Sequence, residues 1–184
     1  KQLGVYADQI ILMAYDQFSS ADLTAGPIAG QAWYETGIRN RLLELPADKY
    51  VISLGNYGYD WKSDSSKAQP ISYQEILSIL KKYNPPILFE TPDLNPHFNY
   101  TDTSGVFHNI WFLDSMSLFN QIQSAKMIGN FFGYAFWRLG SEDPSIWTII
   151  NDREDLNQKT LEKIKNFDYG YDIGFLGDGE ILKF

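Results

Sequence analysis

The sequence contains three short apolar runs, and each of them ends abruptly in polar and aromatic residues. The first occupies residues 10–16, with the sequence IILMAYD, and the others occupy residues 50–54 and 131–137. An almost unbroken apolar run of this length is typical of a parallel strand that is buried on both faces. In α/β barrels and doubly wound sheets the chemistry lies where such strands end. The first run therefore places Tyr15 and Asp16 at a candidate site.

Helical patterns separate the apolar runs. Residues 31–45 carry apolar side chains at helical spacing, which predicts a helix with one face formed by Trp33, Ile38, Leu42 and Leu45. A capping box in residues 72–75 predicts the start of a second helix, and residues 114–130 predict a third. Asp143 precedes a proline, as is typical of a helix N terminus, and residues 157–166 predict a short last helix.

The order strand, helix, strand, insertion, helix, strand predicts an α/β protein with three βα units. Within the insertion, residues 97–100 and 106–111 predict two antiparallel strands joined by a turn at Gly105. A closed eight-stranded barrel needs about 250 residues, so 184 residues suit either a small open α/β domain or the last part of a barrel. The first residue is not Met, which favours an excised domain or a processed product.

Charge and composition exclude several classes of function. The net charge is -8 and no basic stripe is present, so nucleic acid and anionic membrane surfaces are not expected partners. The absence of cysteine excludes disulfides, a thiolate nucleophile and a cysteine-based zinc site. The sequence contains no run of 18 apolar residues, so no membrane span is predicted. Aromatic residues make up 16% of the chain, and its 12 Tyr and 5 Trp suit grooves that hold amphipathic ligands such as sugars.

No cofactor or metal site is predicted. The sequence has no glycine-rich phosphate loop. His97 and His108 lie on adjacent predicted strands, but their spacing matches no metal-ligand pattern and favours structural histidines. Glu142 and Asp143 form an acidic pair that could cleave glycosides, although a helix cap explains Asp143 better.

Four features together resemble glycoside hydrolase family 18, the chitinase-like enzymes. Residues 13–16, MAYD, resemble the M-x-Y-D at the end of the sixth barrel strand of that family. Residues 54–61, LGNYGYDW, resemble its seventh strand and the Y-G-x-x-W that follows. Residues 111–114 and 133–137 resemble the run into its eighth strand, which ends in tryptophan. The whole is most similar to bacterial proteins in which this module is fused to a polysaccharide deacetylase and a glycosyltransferase.

The resemblance implies the C-terminal part of a (β/α)8 TIM barrel with a small α+β insertion. Residues 1–61 would then hold the βα units of strands 6 and 7, and residues 62–112 the insertion. Residues 113–166 would hold a helix, the last barrel strand and C-terminal helices, and residues 167–184 an extended tail or linker. The family's catalytic D-x-x-D-x-D-x-E does not occur here, so the general acid is expected in a missing N-terminal part.

The resemblance also assigns roles to individual residues. Family 18 hydrolysis is substrate-assisted, because the N-acetyl oxygen of the sugar attacks the anomeric carbon. Tyr15 would donate its hydroxyl to the acetamido oxygen, and Asp16 would hydrogen-bond the same sugar. Trp137 would form the apolar floor under the reacting ring. The remaining substrate-binding residues would be Met13, Asn56, Tyr57, Trp61 and Trp111.

The function implied is hydrolysis of polysaccharides that contain N-acetylglucosamine, of the chitin or peptidoglycan type. The parent protein would be a glycosidase, extracellular or at a bacterial cell surface, and the isolated chain would be inactive. Two alternatives stay open. The chain could be a non-catalytic carbohydrate-binding module, or a scaffold domain that docks a neighbouring deacetylase or glycosyltransferase. A part-barrel also leaves sheet edges open, which a homodimer could cover.

Overall fold

The computed structural model describes residues 2–89, 91–151, 176–177 and 180–181. In chain order its elements are α1 (Leu3–Tyr6), β1 (Ile10–Met13), α2 (Gln31–Leu42), a 3-10 turn (Ala47–Lys49), β2 (Tyr50–Gly55), β3 (Gly58–Lys62), β4 (Gln69–Ile71), α3 (Tyr73–Tyr83), β5 (His97–Thr101), β6 (Phe107–Phe112), α4 (Ser115–Ile128), β7 (Gly133–Trp137), α5 (Ile146–Asn151), β8 (Leu176–Gly177) and β9 (Glu180–Ile181). The α/β class predicted from the sequence is confirmed.

The three apolar runs form a parallel sheet in the order β1–β2–β7. On one face of this sheet, Ile52 and Leu54 are fully buried and pack with residues of α2 and α4 in a single core cluster. Burying that face supplies the main apolar driving force for docking the two helices. The carboxyl ends of all three strands meet at one edge, which is where the candidate residues follow.

The opposite face of the parallel sheet, here called the inner face, is open. Along β1, half-buried Ile10 and Leu12 alternate with Ile11 and Met13, which are 63% and 67% exposed. The expectation that this run is buried on both faces is therefore wrong for the described residues. The physical reason is that β1 lies at a sheet edge and no described element covers the inner face.

A second, antiparallel sheet in the order β4–β3–β6–β5 packs against α3. It contains the predicted hairpin, whose turn includes Gly105 at a φ of 84°. Such a positive φ is accessible to glycine without steric strain. The sheet also takes in β3, which begins before residue 62, so the domain boundaries drawn from the sequence remain predictions.

Polar side chains begin the helices as the sequence predicted. Ser72 and Glu75 form both bonds of the capping box at the start of α3, and Asp114 caps α4 by accepting from the backbone N–H of Ser117. The predicted face of α2 is wrong in one residue. Trp33 is 40% exposed, whereas its neighbour Tyr34 is only 1% exposed and fills the core, because α2 presents the Tyr34 and Ile38 stripe to the sheet.

Parts of the C-terminal prediction fall outside the described residues. This holds for the helix predicted at 157–166 and for most of the tail at 167–184. Within the tail, β8 and β9 pair as antiparallel strands, as in a hairpin. Among the described residues, no helix is both long enough and apolar enough to cross a bilayer.

Asp143 ties two helices together, and its removal should destabilise the fold. The buried carboxylate accepts 2.9 Å hydrogen bonds from the backbone N–H groups of Ser115 and Ser145, at the starts of α4 and α5. Losing two bonds to a buried charge should lower the free energy of unfolding by about 2–4 kcal/mol in Asp143→Ala. Urea denaturation measures the change, with exposed Asp64→Ala as control. Equal stability of the two variants would contradict this role.

Candidate functional site

Asp16 lies just beyond the end of β1, and its carboxylate accepts hydrogen bonds from two phenols. The hydroxyls of Tyr57 and Tyr59 both donate to Oδ1, the latter at 3.1 Å. The two tyrosines are two residues apart in an extended segment, so their rings lie on the same face. Asp16 itself has a φ of 61°, a left-handed conformation that Asp tolerates better than most residues. One carboxylate oxygen is therefore fixed by two donors, and neither of these bonds involves the other oxygen, Oδ2.

The pKa of both phenols is raised above its usual value. Burial raises the pKa of Tyr57 well above its usual value, and the hydrogen bond to Asp16 and the charge of that carboxylate raise it further. Burial also raises the pKa of Tyr59, followed by the charge of Asp16. The rings pack edge to face with centroids 5.4 Å apart. At neutral pH these side chains can therefore act only as rigid, neutral donors to the carboxylate.

Tyr15 stands beside this pair on the inner face. Its hydroxyl makes a side-chain hydrogen bond with Ser53, and burial raises the pKa of the phenol. Its ring meets the ring of Tyr57 edge to face, with centroids 6.2 Å apart. Gly55 makes this approach possible, because a Cβ there would lie 3.1 Å from atoms of both tyrosines. A larger residue at 55 would displace the phenols.

A cavity of about 210 Å³ opens at this edge of the sheet. Its walls combine a carboxylate, two phenols, an indole, a guanidinium and a hydroxyl, contributed by Asp16, Tyr57, Tyr59, Pro70, Ile71, Trp137, Arg138 and Ser141. Trp137 ends β7 and is 55% exposed, so its indole offers an uncovered apolar surface. Flat C–H faces of sugar rings pack on such surfaces, while the polar groups beside it can bind hydroxyls or amides.

Two of the other predicted residues, Met13 and Asn56, do not line this cavity. Met13 is on the inner face, opposite Ser53 in the strand register. Asn56 is buried, and its backbone N–H donates to the carbonyl of Trp137 at 2.8 Å. That bond joins the ends of β2 and β7 and so helps to hold the indole in place. The side-chain Oδ1 of Asn56 has no hydrogen-bond partner in the described structure.

The structure does not bring Trp61 and Trp111 to the cavity. Trp61 is buried, and its indole N–H donates to the carbonyl of Asp22 at 3.0 Å. Trp111 stacks on His97 in the antiparallel sheet, with ring centroids 3.8 Å apart. Both placements are those of packing residues. A role in substrate binding for either indole stays a prediction.

Five cavity residues were not predicted as site residues from the sequence. Two of them, Pro70 and Ile71, bring apolar surface from β4, and the other three, Tyr59, Arg138 and Ser141, bring polar side chains. Tyr59 repeats Tyr57 at a spacing of two, and that spacing is the signal which could have identified it. Arg138 follows Trp137 directly, so it shares the strand end. Ser141 has no local signal, because only the turn after β7 brings it back to the cavity.

The carboxylates of the acidic pair after β7, Glu142 and Asp143, accept hydrogen bonds from backbone N–H groups. Asp143 accepts from two helix starts, and the carboxylate of Glu142 accepts from the backbone N–H of Gly140. Both residues are buried. This placement favours the capping interpretation over a carboxylate dyad. Among the described residues, no three His, Asp or Glu side chains converge as metal ligands.

Comparison with known proteins finds similarity to cortical fragment-lytic enzymes and to chitinases. No protein-family model matches the chain. The cortical fragment-lytic enzyme of Bacillus subtilis (strain 168) is 29% identical over 167 residues, which cover 86% of this chain and 37% of that protein. The crystal structure of the Bacillus cereus spore cortex-lytic enzyme SleL matches with a TM-score of 0.74 at 27% identity, over 82% of this chain and 35% of that chain.

A chitinase from Chromobacterium violaceum ATCC 12472 also matches with a TM-score of 0.74, at 25% identity, over 81% of this chain and 46% of that chain. Similarity therefore extends over most of this chain for proteins of both kinds. The chain spans 37% of the length of the cortical fragment-lytic enzymes of Bacillus anthracis and Bacillus subtilis.

Tyr57 should make stability depend on alkaline pH. Its pKa is raised in the folded state above the unfolded value of about 10, so its contribution is complete below about pH 10 and is lost as pH rises toward the folded value. In that range the titration of Tyr57 should lower the free energy of unfolding by about 1.4 kcal/mol per pH unit. Tyr57→Phe should flatten this slope between pH 10 and 11.5 in urea denaturation. Exposed Tyr6→Phe should not, and equal slopes would contradict the assignment.

Proposed function

Because the chain is a chitinase-like member of glycoside hydrolase family 18, as its sequence predicted, we propose that it positions the substrate in a glycosidase acting on N-acetylglucosamine-containing polysaccharide. The observation that carries the proposal is one cavity, at the carboxyl ends of parallel strands, lined by Asp16 with its two phenols and by Trp137. The substrate is of the chitin or peptidoglycan type. The similarity to a cortical fragment-lytic enzyme and to a chitinase supports the proposed activity and this substrate class.

We propose further that the parallel sheet is part of a (β/α)8 barrel. The two outer strands, β1 and β7, each pair on one side only among the described strands, and the inner face carries exposed apolar side chains. Open edges and an uncovered apolar face are what a closed barrel removes. Within such a barrel the inner face is filled by the remaining strands, and the cavity lies at the catalytic end.

The proposed chemistry needs no protein nucleophile. The acetamido oxygen of the sugar attacks its own anomeric carbon, so the protein must hold that group in line and stabilise the developing charge. Tyr15 donates its hydroxyl to the acetamido oxygen. Asp16, fixed through Oδ1, accepts from the acetamido N–H with Oδ2. Trp137 packs under the ring and excludes water from one face.

The general acid of this mechanism belongs to another part of the enzyme. The family's acidic string is absent from the 184 residues. Glu142, the acid closest in sequence to Trp137, is buried and accepts a backbone hydrogen bond, which leaves it poorly placed to protonate a leaving group. The chain therefore contributes positioning, and the complete barrel contributes the proton.

A non-catalytic carbohydrate-binding module is the second candidate. The exposed indole of Trp137 beside polar groups is the observation that favours it, since stacking and hydrogen bonding alone suffice for binding. Either activity would place the protein outside the cell or at its surface, where such polymers occur. A neighbouring deacetylase or glycosyltransferase domain, and a homodimer that covers the open strands, remain proposals about partners.

Loss of the indole at 137 should weaken sugar binding. Trp137→Ala should bind chitotetraose at least about fivefold more weakly than the unmodified protein, because an aromatic stack contributes about 1 kcal/mol beyond its buried area. Isothermal titration measures the affinity. Trp33→Ala removes an equally large, exposed indole from α2 and should bind normally. Unchanged binding by the Trp137 variant would instead support the scaffold function.

The isolated 184-residue chain should give no turnover of chitooligosaccharides or peptidoglycan fragments, because it lacks a general acid. Reducing-sugar release over a day measures residual activity, and the complete enzyme serves as the positive control. Clear turnover that disappears in Glu142→Gln would show that the general acid lies in this chain. That result would contradict the proposal that another part of the enzyme supplies the acid.

A further inference from the structure

We propose that Arg138 makes the cavity selective for N-acetylated sugars that carry a carboxylate, as N-acetylmuramic acid does. The inference rests on the proposed function, since it concerns the same cavity. It goes beyond that function by naming the charge of the substrate and the residue that binds the charged group.

Arg138 brings a guanidinium to a cavity wall that otherwise carries only one charge, that of Asp16. Within the part of the chain that the structure describes, no carboxylate oxygen lies within 4 Å of a guanidinium nitrogen of Arg138, so this side chain forms no ion pair there. The nearby Glu75 carboxylate already accepts from the backbone N–H and the hydroxyl of Ser72, at 2.8 and 2.6 Å. The charge of Arg138 contributes to lowering the pKa of Glu75, but the guanidinium forms no ion pair with that carboxylate.

The orientation of this guanidinium is set by the turn that follows β7. Its Nε donates to the hydroxyl of Ser141 at 3.2 Å, and Ser141 is buried at the cavity wall. The backbone carbonyl of Ser141 accepts from the N–H of Tyr73 at the start of α3, at 2.9 Å. Gly140 permits the turn with a φ of 87°. Holding Nε in this way leaves the two terminal nitrogens free to bind a ligand.

A planar guanidinium with two free nitrogens matches the geometry of a carboxylate, to which it donates two parallel hydrogen bonds. A neutral chitin chain offers only hydroxyl and amide oxygens, which bind a guanidinium more weakly than a carboxylate does. The chain as a whole carries a net charge of -8, so general attraction of anionic polymers is excluded and the selectivity must be local. With Asp16 and Arg138 on the same small cavity, an acetamido group and a carboxylate of one glycan unit find complementary partners.

The test compares three ligands by isothermal titration with the full-length protein. The first is a peptide-free tetrasaccharide of alternating N-acetylglucosamine and N-acetylmuramic acid. The second is the same tetrasaccharide with its carboxyl groups reduced to alcohols, and the third is chitotetraose. A charge-assisted bond predicts that the carboxylate form binds about 10–100-fold tighter than the reduced form. Added salt should narrow that ratio.

Arg138→Gln should bind the carboxylate and reduced forms with about equal affinity, and this ratio within the variant is the readout, whatever the change in its binding of chitotetraose. Arg138→Lys should keep part of the preference, since a lysine keeps the charge but not the bidentate geometry. Arg39→Gln removes an equal charge from the exposed side of α2 and should keep the full preference, which controls for net charge.

The outcomes separate this inference from the proposed function. Equal binding of the carboxylate and reduced forms, or a preference that survives in Arg138→Gln, overturns the role of Arg138 and leaves sugar binding intact. Failure of the unmodified protein to bind any of the three ligands overturns the proposed function and this inference with it.

Discussion

The carboxylate of Asp16 is the point on which the site depends, because it joins two separate parts of the fold. It follows the end of β1, and it accepts from phenols on the segment that leads from β2 into β3. A charged acceptor with two buried donors is worth more than an ordinary hydrogen bond and fixes direction as well as distance. The same contact thereby orders the tyrosine row and sets one wall of the cavity.

The opposite wall is built by backbone geometry. The N–H of Asn56 binds the carbonyl of Trp137, and the turn after it is attached to the first residue of α3. The parallel and the antiparallel sheet thus both contribute to one cavity. Exposing the apolar surface of the Trp137 indole to water is unfavourable. A ligand that covers the indole would remove this cost. The inner face of the sheet, which no described element covers, likewise exposes apolar side chains.

Much of the local structure follows from short-range signals. The apolar runs, the capping box at Ser72, the cap at Asp114 and the hairpin around Gly105 all lie where the sequence predicts them, since each depends on neighbours within a few residues. Prediction failed where a choice depends on distant contacts. The burial of Tyr34 in place of Trp33 is such a choice, because it is set by how α2 docks on the sheet.

The sequence by itself determined the class of the fold, the strand ends at which polar residues collect, and the placement of Tyr15, Asp16 and Trp137 at such ends. Only the tertiary structure decided that Tyr59, Arg138 and Ser141 share the cavity with Asp16 and Trp137. The reason is that hydrophobic periodicity fixes which way a residue faces within its own element. The distance between side chains on different elements depends on packing angles and turns, which no local pattern encodes.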